Sequence, residues 1–130
     1  MPVRGIRGAI TTKENTRESI HDSTRELLLA LIAANQVDAA DVASAWFTTS
    51  PDLNADYPAA AARALGWTDT ALMCSHEMNV PHGLKKCIRI LIHWNTDRPS
   101  SAIQHIYLGD AANLRPDRAN HKEPRKEIGN

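Results

Sequence analysis

The chain has no long apolar run. Its mean hydropathy is −0.39, and nothing in it approaches the roughly 18 residues of a membrane-spanning helix. It has no excess of charge: Lys and Arg number 15, as do Asp and Glu. No bulk field therefore draws it to nucleic acid or to an anionic membrane. Cysteine is scarce. Cys74 and Cys87 form no CxxC and no disulfide framework, which fits a reducing, cytoplasmic setting. The start, Met-Pro-Val-Arg-Gly-Ile-Arg, lacks the apolar core of a secretory signal. Repeats and low-complexity tracts are missing too. With 130 residues, 42% hydrophobic and 23% charged, the composition is that of one globular domain able to bury a core unaided.

Familiar catalytic motifs are also missing. There is no P-loop, no GxGxxG following a strand and no GxSxG elbow. Ser, His and Asp form no local arrangement that favours a triad. Cys74, His76, Glu77 and His82 lie within nine positions, but their spacing fits none of the common zinc patterns. No metal or cofactor is expected.

What is present reads as alternating strands and helices. Residues 3–10 predict a first strand, with Val3, Gly5, Arg7 and Ala9 on one side and Arg4, Ile6, Gly8 and Ile10 on the other. Glycines inside a strand mark close approach of backbone or ligand. An amphipathic helix follows, with Asn15 as expected N-cap, Glu18 in capping-box position, and an end near Asn35. Ile20, Leu27, Leu28 and Leu31 form its apolar face. Asp38 to Asp41 predicts a helical turn and Val42 to Thr49 a second strand, broken by Ser50-Pro51-Asp52. A second helix is expected from about Pro58 to Leu65, stopped by Gly66. Thr70 to Ser75 predicts a third strand.

The strongest strand signal spans Lys86 to Asn95. Ile88, Ile90, Ile92 and Trp94 share one face, and Cys87, Arg89, Leu91 and His93 the other. Ala102 to Leu108 predicts the last strand, and 110–114 a helical turn. From Pro116 the chain is charged and aperiodic, so a flexible tail is expected. The sum is a mixed α/β domain.

Arginines stand where strands should be half-buried. A buried guanidinium must be paired or solvated. For Arg89, two readings are open from pattern alone: a sheet-edge arginine or one bridged to Glu77, and an anion site using the planar fork that grips a carboxylate. Arg7 poses the same choice. Arg63 and Arg115 would be unremarkable alone. Glu77 reads equally as a solvated loop residue, Cys74 as a small buried side chain and Tyr107 as a half-buried strand aromatic.

Taken together, these residues resemble the AroH-class chorismate mutases. Arg4-Gly5-Ile6-Arg7-Gly8-Ala9 resembles that family's opening strand. Thr49-Ser50-Pro51-Asp52-Leu53 and Tyr57-Pro58-Ala59 resemble its second strand and the following helix start. Cys74-Ser75-His76-Glu77-Met78 and Gly83-Leu84-Lys85-Lys86-Cys87-Ile88-Arg89 resemble its core signature. His105-Ile106-Tyr107-Leu108 and Leu114-Arg115-Pro116-Asp117 complete it. The motifs are collinear, and several in one order are far more specific than any alone.

The resemblance implies a domain over residues 1–117 and a charged tail over 118–130. It implies an α/β fold with a mixed five-stranded sheet packed with two helices, and a homotrimer with a barrel-like centre and active sites at subunit interfaces. The implied reaction is the Claisen rearrangement of chorismate to prephenate in aromatic amino acid biosynthesis, with chorismate as the small-molecule partner. By resemblance Arg89 meets the ether oxygen, Arg7 and Tyr107 the side-chain carboxylate, and Glu77 with Cys74 the ring hydroxyl. Arg63 and Arg115 would attract the second carboxylate, and Tyr57, Ala59, Met73 and Leu114 would shape the walls. The chain departs from the family pattern at Ala60, where a lysine is frequent, and at Tyr57, where phenylalanine is. A catalytically silent trimer that binds a small carboxylate would use many of the same residues. Imine hydrolases share similar trimeric folds.

Overall fold

A computed structural model describes residues 1–113. Five strands alternate with two helices: β1 (Val3–Thr11), α1 (Arg17–Asn35), β2 (Val42–Thr49), α2 (Ala59–Ala64), β3 (Ala71–His76), β4 (Cys87–Asn95) and β5 (Ile106–Leu108). They form one sheet in the order β3-β2-β4-β1-β5. The central strand β4 is antiparallel to β1 and β2, while β3 and β5 add parallel to β2 and β1. The sheet is therefore mixed, as expected. The predicted tail, the residues after Asn113, and with them Leu114 and Arg115, lie outside the described residues.

Period-two alternation decides which side of the sheet is covered. Ile88, Ile90, Ile92 and Trp94 of β4 are buried, together with Ile6 and Ile10 of β1 and Ala45 and Phe47 of β2. These residues join Ile20, Leu27, Leu28 and Leu31 of α1 in one core. The register aligns Ile6 with Ile92 and Ala45, and Gly8 with Ile90 and Phe47. The opposite face carries Arg7, Trp46, Thr48, Met73, Ser75, Arg89, Leu91 and His93. Neither α1 nor α2 packs on it; at its β5 end Ala111 of the 3₁₀ helix Gly109–Asn113 covers Ala9, Cys87 and Tyr107.

Two expectations need correcting. Thr16, not Asn15, caps α1: its backbone is extended, and its hydroxyl accepts from Ser19 N–H at 3.1 Å. The Asn15 side chain is engaged elsewhere, where its Oδ1 accepts from the N–H groups of Asn54 and Ala55, each at 3.0 Å. The last strand is also shorter than its apolar pattern suggests. Residues Ser100–Ala102 form a 3₁₀ turn. The backbone of Gln104 is claimed by buried Asn35, whose amide donates to its carbonyl at 2.9 Å and accepts from its N–H at 2.8 Å. A side chain thus takes the hydrogen bonds that a strand neighbour would use. Sheet pairing begins only at Ile106.

Gly8 shows why a glycine stands inside β1. A methyl group there would lie 3.0 Å from the Ile106 carbonyl and from Leu31, and 3.1 Å from Leu27. Both α1 and β5 approach it closely. Gly8→Ala is expected to cost about 1–3 kcal/mol through overpacking. Urea unfolding followed by tryptophan fluorescence measures it, and an unchanged midpoint would show that the neighbours yield freely.

Candidate active site

The site is built on the sheet face that α1 and α2 leave open. Residues paired across neighbouring strands point to the same side. One such row runs Ser75, Thr48, Arg89, Ala9, Tyr107 from β3 to β5. Arg89 is in the middle of the sheet, gripped on both sides by ladder hydrogen bonds, so its backbone has little freedom. Arg7 lies on the same face of β1, one pleat away, opposite Leu91. Its N–H donates to His105 Nδ1 at 2.9 Å, which anchors this stretch of β1 just before β5 begins.

Arg89 is 23% exposed and Glu77 39% exposed, and the Arg89 Nε stands 3.6 Å from Glu77 Oε2. Glu77 is held by backbone as well as by side chain. Its N–H donates to the Thr49 carbonyl at 2.8 Å, which extends the β2–β3 pairing by one step. Its Oε1 accepts from Met78 N–H at 3.1 Å. The contact with Arg89 is single and through Nε, not the paired fork that guanidinium and carboxylate form at their tightest. A pair this loose holds the cation in place and still lets it meet an incoming anion.

The arginine–glutamate pair lies between two open clefts. One, of about 470 Å³, is lined by Arg7, Trp46, Thr48, Ser75, Glu77 and Arg89. The other, of about 510 Å³, shares Glu77 and Arg89 and continues past Ser50, Asn79, Val80 and Lys85. Tyr107 is wholly buried beside Ala9, Cys87 and Ala111. Its hydroxyl has no hydrogen-bond partner among the described residues. An unpaired buried hydroxyl is costly.

A third cleft, of about 290 Å³, gathers Tyr57, Ala59, Arg63, Met73 and Cys74. Five of the residues singled out from sequence thus meet, but away from Arg89. Within one chain Cys74 does not join Glu77: it pairs in register with Phe47 and faces the helix side of β3. Sequence reasoning missed Trp46, Thr48 and Ser75 as lining residues. The alternation of β2 places Ser44, Trp46 and Thr48 together on one face, but only the β2–β4 register brings that face to Arg89. Trp46 Nε1 donates to Ser75 Oγ at 3.0 Å and ties β2 to β3 at the cleft wall.

Neither cysteine is set up as a nucleophile. Burial pushes the Cys74 thiol up, against a backbone hydrogen bond at Ala59 and the Arg63 charge. Burial likewise pushes up the Cys87 thiol, and Arg89 offsets this only partly. Both stay protonated at neutral pH. Iodoacetamide at pH 7.5 is expected to alkylate both more slowly than a free cysteine peptide, as mass spectrometry would record. Fast modification of Cys74 would contradict this environment.

Four matches bear on identity. The family described as chorismate mutase type I matches residues 3–118. The chorismate mutase AroH of Thermus thermophilus is 47% identical over 116 residues, 88% of this chain and 95% of that protein. The chorismate mutase AroH of Bacillus subtilis (strain 168) is 43% identical over 118 residues, 90% of this chain and 93% of that protein. A solved chorismate mutase from Clostridium thermocellum superposes with a TM-score of 0.83 at 45% identity, covering 85% of this chain and 98% of its own. A match over nearly the whole length, in sequence and in fold, leaves one assignment: the chain belongs to the chorismate mutase type I family.

Proposed function

We propose that the chain performs the Claisen rearrangement of chorismate to prephenate with Arg89 as its principal transition-state cation. The observation that carries this reading is the guanidinium fixed mid-sheet on an open face, beside Glu77 and on the same side as Arg7. The reaction is intramolecular: one C–O bond breaks as one C–C bond forms, with no covalent enzyme intermediate and no proton transfer. An enzyme can accelerate it by holding the enolpyruvyl side chain over the ring in a near-attack shape. It can also place fixed charges where the transition state polarises.

Negative charge grows on the ether oxygen as the C–O bond lengthens. A cation there binds the transition state better than the substrate, which raises kcat. Arg89 has that role in this reading, with Arg7 and Tyr107 on the side-chain carboxylate. The Tyr107 hydroxyl, which has no partner among the described residues, supports a polar partner arriving with substrate. Glu77 suits the ring fragment, which becomes partly positive, and with Cys74 it meets the ring hydroxyl. Arg63 and Arg115 attract the second carboxylate, and Tyr57, Ala59, Met73 and Leu114 form the walls. The enzyme serves aromatic amino acid biosynthesis, and we assign it to the cytoplasm.

The active unit in this proposal is a homotrimer with a site between each pair of copies. Two observations support it. The face opposite the helices exposes Trp46 by 42% and Met73 by 59%, and the two are paired in register across β2 and β3, so their apolar surface is contiguous and available to a neighbour. The cleft of Tyr57, Arg63 and Cys74 is separate from the cleft of Arg7, Glu77 and Arg89 within one chain, and a neighbour can bring the two together.

Purified protein should convert chorismate to prephenate, read as loss of chorismate absorbance. Arg89→Ala is expected to lower kcat by about 10²–10³ or more. Arg89→Lys should remain poor, because a point charge cannot serve two oxygens. Near-native turnover in Arg89→Ala would remove Arg89 from the mechanism. The pH–rate profile should be flat across neutrality, since no proton moves. A steep limb near the ordinary histidine range would mean that acid–base chemistry is involved. Binding of chorismate without turnover would leave a carboxylate sensor in place of an enzyme.

A further inference from the structure

Arg89 stands three residues beyond Lys86, and the backbone there is unusual. Lys86, immediately before β4, is in the left-handed region with φ of 52°. A residue bearing a Cβ stays in that region only where its surroundings compensate. Among the described residues the other such non-glycine is Gln36, at the end of α1. A helix end commonly takes this conformation, whereas the start of a central strand needs a specific restraint.

The segment Ser50-Pro51-Asp52 supplies the restraint. Asp52 Oδ2 accepts from Lys86 N–H at 2.9 Å. Cys87 N–H donates to Ser50 Oγ at 2.9 Å, and Ser50 N–H donates to the Cys87 carbonyl at 2.9 Å. The Ser50 hydroxyl lies beside the Asp52 carboxylate and favours its charged form. From the other side, Thr12 N–H donates to the Lys86 carbonyl at 2.8 Å. Burial disfavours the charge on Asp52, but the Ser50 hydroxyl, the bond from Lys86 and the nearby Lys85 outweigh it. Its carboxyl is held below the usual carboxylate range, so it is an anionic acceptor at neutral pH and makes the stronger kind of hydrogen bond.

We infer that Asp52 is a positioning residue for the rearrangement: by accepting the Lys86 N–H beside the Ser50 hydroxyl, it latches the left-handed turn from which β4 starts and so sets where the Arg89 guanidinium stands. The inference rests on the reading of Arg89 given above. Asp52 also lines the cleft of about 510 Å³ beside Arg89, but the role inferred for it runs through the backbone, and rescue by Lys86→Gly separates that role from contact with substrate. Its effect is large because Arg89 is so near the turn. A one-residue slip at the start of β4 would carry Arg89 to the helix side of the sheet. Smaller shifts matter as well, since displacing a catalytic group by about 1 Å can cost about 10²-fold in rate.

The latch is tested by kcat and KM for chorismate in four variants, with amide hydrogen exchange at Cys87 and circular dichroism on each. Asp52→Ala is expected to lower kcat about tenfold or more with KM within about threefold. Asp52→Asn keeps an acceptor oxygen and should stay within about threefold of the parent. Adding Lys86→Gly to Asp52→Ala should recover most of the lost kcat, because glycine takes a positive φ without the Cβ penalty. Exchange at the Cys87 amide should speed up in Asp52→Ala and slow again in the double variant. An unchanged kcat in Asp52→Ala overturns the inference, as does a double variant no faster than Asp52→Ala. Should Asp52→Ala not fold, Ser50→Ala removes the other half of the latch. It is expected to lower kcat in the same way, and an unchanged kcat there overturns the inference. An inactive parent would sink the reading of Arg89 instead, and the exchange pattern would still decide whether Asp52 holds the turn.

Discussion

One strand carries both the core of this protein and the charge proposed for its chemistry. β4 is the central strand, hydrogen-bonded on both sides. Its alternation sends four large apolar side chains into the helix-covered core and Arg89 to the opposite face. The same register that buries Ile88 and Ile90 therefore fixes the guanidinium between them. A slip that moved Arg89 would also bring the isoleucines out of the core, so core packing protects the position of the charge. The electrostatic requirement is met locally: Glu77 supplies a counter-charge near enough to balance the cation and too far to lock it in a tight fork.

The positions that pattern reasoning reads well are those governed by local rules. The apolar spacing of α1, the alternation of β4, the glycine after α2 and the bounds of β2 all follow from period and from turn chemistry within a few residues. Both faces of β4 were readable from its own nine residues. The reading of Asn15 as a cap failed because its side chain is used across the chain, at Asn54 and Ala55. The length of β5 was misjudged because Asn35, about seventy positions away, takes the backbone bonds of Gln104. Long-range partners of this kind leave no mark in local sequence.

The site was partly readable for the same reason. Arg7, Glu77 and Arg89 stand out as charges in strand or strand-end positions, and the fold gathers them. Trp46, Thr48 and Ser75 carry no chemical signal of their own and join the cleft only through the register of β2 with β4 and β3. The family resemblance contributed what residue physics could not: an expectation of which oxygen of which substrate each cation would meet. The latch at Asp52 escaped notice because Ser50-Pro51-Asp52 reads simply as a strand breaker. Its second use becomes visible only with the backbone of Lys86 in view.

The separation of the two clefts constrains how copies can assemble. A twofold axis sets a patch against the same patch on its partner, so residues far apart in one chain meet only when the axis lies between them. A ring uses a different interface, in which one patch of each copy meets another patch of the next. The chain has two such patches of complementary content: Arg7, Glu77 and Arg89 in one cleft, and Tyr57, Arg63 and Met73 in another. A dicarboxylate needs cations at both ends and apolar walls around the ring. Two Arg89 clefts joined face to face would crowd like charges on one side and leave the walls out. In the proposed assembly a head-to-tail contact would instead set one copy's Arg7, Glu77 and Arg89 against the next copy's Tyr57, Arg63 and Met73. Such a contact would also cover Trp46 and Met73, and the threefold ring proposed for this chain would meet both demands with one repeated contact.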